Sequence, residues 1–77
     1  MIIKILGTGC PKCKTLEKIT REVVEQTGID ATIVKVEDIM EIMKYGIMTT
    51  PALVVDEKVA IKGRLPSAEE IKNVLTR

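Results

Sequence analysis

The sequence predicts an α/β fold of order βαβαββα, and three observations carry that prediction. Ile2 to Leu6 is an apolar, mostly β-branched run that stops at Gly7. Beyond Pro11, the residues Cys13, Leu16, Ile19, Thr20, Val23, Val24 and Thr27 recur at spacings of three and four. Two further short apolar runs, Ala52 to Val55 and Val59 to Lys62, are separated only by Asp56-Glu57-Lys58. Strand-like runs alternating with a helical period point to strands linked through helices. With 77 residues in all, the chain is expected to form one domain over 1–77, because a second core has no residues to draw on.

Each element follows from local chemistry. Ile2 to Leu6 reads as a buried strand entering a tight turn at Gly7-Thr8-Gly9. The first helix opens with Pro11 at its first position, runs about four turns and ends before Gly28, with Glu17, Lys18, Arg21, Glu22 and Glu25 on its outer face. Ala31 to Val36 is β-rich and follows by a short loop, so strand, helix and strand form a parallel unit. Glu37 to Tyr45, ended by Gly46, reads as a short second helix with Ile39, Met40, Ile42 and Met43 on one side. At such spacing, Met40 and Met43, together with Met48, read as core, and Tyr45 as closing the helix against the sheet. The pair Ala52 to Val55 and Val59 to Lys62 reads as a hairpin. Asp56-Glu57 is a poor two-residue turn pair, which favours a longer loop there. Ser67-Ala68-Glu69-Glu70 is a capping box opening a last helix through Ala68, Ile71, Val74 and Leu75.

Composition narrows the function. Lys and Arg number 12 against 11 Asp and Glu, so no whole-domain basic field is available for nucleic acid. Tyr45 is the one aromatic residue, which removes the stacking platform of single-stranded nucleic-acid modules. No apolar stretch approaches a membrane span, and the N-terminal run is too short for a signal segment, so a cytoplasmic protein that engages neither membrane nor nucleic acid is expected. Histidine is absent, which excludes hydrolases built on a serine-histidine or cysteine-histidine pair.

The two cysteines, Cys10 and Cys13, form a Cys-x-x-Cys pair. A bridge across so short a loop restrains the unfolded chain little, so stability is a poor reason for it. If Pro11 is the first helical residue, Cys10 is the N-cap, where its sulfur accepts from the free amides of Lys12 and Cys13. The positive end of the helix, with Lys12 and Lys14 nearby, favours a thiolate there. Cys10 is therefore read as the exposed nucleophile. Cys13 falls on the apolar stripe with Leu16 and Thr20 and is read as the resolving thiol, placed to attack a mixed disulfide held on Cys10.

Thr50-Pro51 stands at the start of the third strand, a position where a proline costs no ladder bond. With Cys10-Pro11-Lys12-Cys13 behind a glycine turn and Thr50-Pro51 before a hairpin, the whole chain resembles the thioredoxin-glutaredoxin superfamily. More narrowly, it is similar to the small archaeal and bacterial thioredoxin-like proteins, also called redox-active disulfide proteins. Those run Gly-x-Gly-Cys-x-x-Cys near the N-terminus and Gly-Arg before the last helix, as Gly63-Arg64 does here. The resemblance implies a four-stranded mixed sheet flanked by three helices, and a cis bond before Pro51 facing the dithiol. It further implies that the Thr50 backbone pairs with substrate, within a substrate-binding set of Gly9, Pro11, Lys12, Thr50, Pro51 and Gly63. It implies thiol-disulfide oxidoreductase activity with no cofactor beyond a redox-active Cys10–Cys13 disulfide and no metal. The implied partners are disulfide-containing proteins and an upstream reductase of thioredoxin-reductase type, serving a monomer.

Departures from that pattern limit what carries over. Thioredoxins proper place Trp before the first Cys, where this chain has Gly9, and a buried Asp six positions ahead of it, where this chain has Lys4. A proton acceptor for Cys13 is thus not visible, and Lys4 is read as extending toward solvent. The glutathione-binding Gly-Gly-x-x-Asp element of glutaredoxins is not matched by Gly63-Arg64-Leu65-Pro66-Ser67. Arg64 and Lys12 are read as solvated charge. The rival class is a small copper or zinc carrier, since copper chaperones also place Cys-x-x-Cys after a first strand. Those have Met two before the first Cys, where Thr8 stands here, and a βαββαβ order ending on a strand. A tetrahedral site would also need ligands beyond two thiolates.

Overall fold

The computed structural model describes residues 1–76. Its elements run β1 (Ile2–Leu6), α1 (Pro11–Thr27), β2 (Thr32–Val36), α2 (Ile39–Met43), β3 (Ala52–Val55), β4 (Lys58–Lys62) and α3 (Ala68–Leu75). The predicted order βαβαββα holds, and the chain's last described element is a helix. The strands form one mixed sheet in the order β2-β1-β3-β4. β1 pairs parallel with β2, and antiparallel with β3, with Leu6 opposite Val36 on one side and Ala52 on the other.

Alternation along β1 sorts the two faces of the sheet. Ile3 and Ile5 point with Leu53 and Ile61 into the larger core, where Leu16 and Val23 of α1 meet Ile71 and Leu75 of α3. Leu6, Ala52 and Val54 face the other way, against Ile42 of α2 and Ile47, with Val36 and Tyr45 at the margin. α1 ends in a left-handed Gly28 whose amide bonds the Val24 carbonyl. α3 begins in the predicted capping box, with Ser67 and Glu70 bonding each other's backbone amides. Among the described residues, no helix is long and apolar enough to cross a membrane.

Four expectations are corrected. The second helix is shorter than the run from Glu37 to Tyr45, starting behind an Asp38 N-cap and covering five residues. So short a helix turns only one residue fully inward, and Ile42 takes that place. The predicted core assignment for Met40, Met43 and Met48 therefore fails, and all three are exposed, as is Ile39. The hairpin loop is also shorter than expected. Asp56 and Glu57 alone make the turn, both in the left-handed region at φ 48° and 69°. Side chains hold them there: the Ile2 amide donates to the Asp56 carboxylate at 2.8 Å, and Glu57 pairs with Lys4. Lys4 accordingly does not run to solvent. Its ammonium also donates to the Tyr45 hydroxyl at 2.7 Å, tying β1 to the end of the α2 region and to the hairpin turn.

Candidate active site

The site is built at the end of the sheet where β1 and β2 finish and β3 begins. Leu6 opposite Ala52 puts the Gly7-Thr8-Gly9 turn and the Thr50-Pro51 segment side by side at that end. The Gly7 amide continues the ladder by donating to the Val36 carbonyl at 2.9 Å. Gly9, at φ 89°, then turns the chain out of the sheet and into α1.

Cys10 is the N-cap of α1, with extended φ and ψ of −67° and 161°, and Pro11 opens the helix as predicted. Its sulfur accepts from the Cys13 amide at 3.2 Å. The Lys12 amide, expected as a second donor, makes no bond to it; the Cys13 amide is the one that the helix geometry aims at the cap. Cys10 is half-buried, whereas Cys13 is 5% exposed, on the inward stripe of α1 with Leu16 and Thr20. The two are joined as a disulfide with Cα atoms 5.1 Å apart. A hydrogen bond to neutral divalent sulfur is weak, but the same amide aimed at a thiolate is charge-assisted. The helix end therefore favours the reduced, ionised form of Cys10.

Gly7 bears on the site in a way that sequence reasoning missed. It is buried, and a Cβ built on it would overlap the Sγ of Cys13. Its lack of a side chain is what lets Cys13 pack against the end of β1. The available signal was a glycine closing a strand three positions ahead of a Cys-x-x-Cys, which was read only as a turn former.

The remaining sequence-predicted residues fall into two groups. Thr50, Pro51 and Gly63 are brought together. The Thr50–Pro51 bond is cis, Pro51 is buried and Thr50 half-buried, and the Gly63 amide donates to the Pro51 carbonyl at 3.1 Å. Gly63 sits at φ 73°, where a Cβ would come within 2.8 Å of the Thr49 hydroxyl. Gly9, Pro11 and Lys12 are exposed around Cys10. Arg64 is not a free cation, because its guanidinium forks onto both carboxylate oxygens of Glu70. That pairing holds the Glu70 carboxyl below its ordinary value.

Among the described residues the one buried polar side chain is Thr20, whose hydroxyl donates to the Leu16 carbonyl at 2.7 Å. Lys4 is engaged at the hairpin end of the sheet, its ammonium held charged by Glu57 and Tyr45. No group of three or more Cys, Asp or Glu side chains is placed to hold a metal ion among those residues. Beside Thr8 and Thr50 opens an apolar cavity of about 210 Å³, which runs along α2 to Met48.

Comparison with known proteins agrees with this architecture. A family model described as the thioredoxin domain matches residues 1–76. A protein named thioredoxin from Methanothermobacter thermautotrophicus is 45% identical over 76 residues, covering 99% of each chain. Another of that name from Methanocaldococcus jannaschii is 44% identical over 75 residues, 97% of this chain and 86% of its own. A probable thioredoxin from Archaeoglobus fulgidus is 32% identical over 71 residues, 88% of this chain and 77% of its own.

Proposed function

This chain belongs to the thioredoxin domain family and is a thiol-disulfide oxidoreductase, and from that premise we propose how its two cysteines divide the work. Cys10 is the attacking thiol and Cys13 the resolving one. The observation that carries this division is the cap geometry, with an amide aimed at the half-buried Cys10 sulfur while Cys13 lies inside.

In the reduced protein, the Cys10 thiolate attacks one sulfur of a target disulfide. A Cys10–substrate S–S bond forms as the target bond breaks, and the departing thiolate takes a proton from water. Cys13 then loses its proton to solvent and attacks the Cys10 sulfur, releasing the second substrate thiolate and leaving the Cys10–Cys13 disulfide. Two electrons pass from the dithiol to the target, so the pair itself is the redox group. The Thr50 backbone, with Gly9, Pro11, Lys12, Pro51 and Gly63 around it, receives the target chain. The targets are disulfide-bearing proteins, and a reductase of thioredoxin-reductase type returns the pair to the dithiol in the cytoplasm, with the chain acting as a monomer.

Two coupled assays on one disulfide substrate test this reading. With NADPH and thioredoxin reductase, substrate reduction should depend on this chain. With glutathione, its reductase and NADPH it should be much slower, since the Gly63–Ser67 segment lacks the glutathione element. Turnover with glutathione alone would overturn the choice of reductant, and no turnover in either system with a dithiol known to be reduced would count against the assigned chemistry.

A further inference from the structure

α1 orders its charges in the opposite sense to the other helices of the chain. The positive end of a helix favours carboxylates, and its negative end favours cations. α3 follows that rule, with Glu69 and Glu70 in its first turn and Lys72 in its last, and α2 has Asp38 as its cap and Glu41 in its first turn. α1 has no acidic residue in its first turn and no basic residue in its last. Lys12 and Lys14 stand at its positive end instead, and Glu22 and Glu25 follow toward its far end. Such an order works against the helix. A local rule broken on the element that carries the dithiol points to a use outside the fold.

The lysines are also left free. Pro11 to Arg21 holds Lys12, Lys14, Lys18 and Arg21 against Glu17 alone, a net +3 in a chain whose total is +1. Arg21 and Lys35 both reach Glu17, at 3.0 Å and 3.5 Å, and Arg21 holds its carboxyl below the ordinary value. Among the described residues, the side chains of Lys12, Lys14 and Lys18 enter no ion pair, and all three residues are exposed. Lys14 and Lys18 are one turn apart on one face, and Lys12 is two residues from Cys10. Favouring the Cys10 thiolate does not account for the set. By the helix rise Lys18 stands about 12 Å along the axis from Cys10, beyond the ~8 Å at which physiological salt screens exposed charges.

We infer that Lys12, Lys14 and Lys18 form a docking surface for target proteins that carry an acidic segment beside the reacting cysteine. The inference rests on the oxidoreductase reading above and names the target class for that same site. Complementary charge acts on the encounter, raising the rate for such targets and selecting them over neutral or basic ones. The docked segment runs from the dithiol outward along the exposed face of α1.

The test uses two short peptides, each a disulfide-linked homodimer, identical except for a run of Asp or of Asn beside the cysteine. Pre-reduced full-length protein is mixed with each at about 10 mM and about 1 M salt, where the screening length is roughly 30 Å and 3 Å. Each rate is divided by that of the same peptide with free mercaptoethanol, which removes the peptide's own reactivity. The Asp peptide should react about tenfold faster than the Asn peptide at low salt, the lower end of what steering gives, and the ratio should fall to near one at high salt. In the double variant Lys14→Gln, Lys18→Gln, the low-salt ratio should drop at least about threefold, and any change in the Cys10 thiolate cancels within the ratio. Its Tm should hold or rise, since charge unfavourable to the helix is removed. A wild-type ratio near one at low salt, a ratio indifferent to salt, or one unchanged in the double variant would overturn the docking surface. A lower Tm in the double variant would also overturn it, because the lysines would then serve the helix. If the peptides react alike while turnover with thioredoxin reductase slows steeply with salt, the surface belongs to the reductase and the inference fails. Hydroxyethyl disulfide separates the two readings. If the wild type reduces it while treating the peptides alike, the docking surface alone fails; if it reduces none of the three, the chemistry assigned to the dithiol fails and takes the docking surface with it.

Discussion

Cys10 draws its character from backbone. The N-cap position supplies an oriented amide and the positive end of a 17-residue helix, and neither depends on a titrating neighbour. Alkylation of the reduced protein near neutral pH should therefore label Cys10 ahead of Cys13, with the Cys10 thiol ionising below the ordinary thiol value. Peptide mapping of the singly labelled protein checks this, and equal labelling would remove the asymmetry. Cys13 depends instead on Gly7. Gly7→Ala forces a methyl into the space of the Cys13 sulfur, and overpacking of this kind costs about 1–3 kcal/mol. In a domain of this size each kcal/mol lowers Tm by roughly 4–8 °C. Thermal unfolding should show that drop in the variant, and an unchanged Tm would mean the site has slack that the geometry denies.

At the scale of elements, the hairpin turn shows how side chains hold a backbone that the residue types disfavour. Asp56 tolerates the left-handed region, whereas Glu57 does not suit it and is kept there by Lys4 and Tyr45. The Lys4 ammonium, aided by the Tyr45 hydroxyl, holds the Glu57 carboxyl below its ordinary value of 4.5. A depressed carboxyl contributes stability that is fully present above its unfolded value and is lost as the pH falls through its folded value. Glu57→Gln should thus be less stable than the wild type at neutral pH, by a modest amount for so exposed a pair, with the two melting curves converging as the pH drops below 4.5. A gap that persists in acid would assign the effect to packing rather than charge. This turn also marks where sequence reading stops. Strand runs, the Pro11 and Gly28 ends of α1 and the Ser67 capping box announce themselves locally, because each is satisfied by neighbours in the chain. The two-residue turn is not local: its partners are Ile2, Lys4 and Tyr45, far away in sequence. The outward Met40, Met43 and Met48 were missed for a related reason, since apolar spacing shows a face but not how much sheet remains for it to cover.

At the scale of the molecule, the two faces of the sheet are unequal. α1 and α3 together bury one face, while the five residues of α2 cover the other only in part. The thin side leaves the cavity open, and it lies at the sheet end to which the Cys10 turn and the Thr50-Pro51 segment also belong. The order of attack within the dithiol is tested most directly by intact-mass analysis of two single-cysteine variants. Reduced Cys13→Ser mixed with a disulfide peptide should accumulate one covalent peptide adduct, mapped to Cys10 and stable until a thiol is added. Cys10→Ser under the same conditions should remain essentially unmodified, because Cys13 is buried. An adduct forming on Cys13 as fast as on Cys10 would contradict the account.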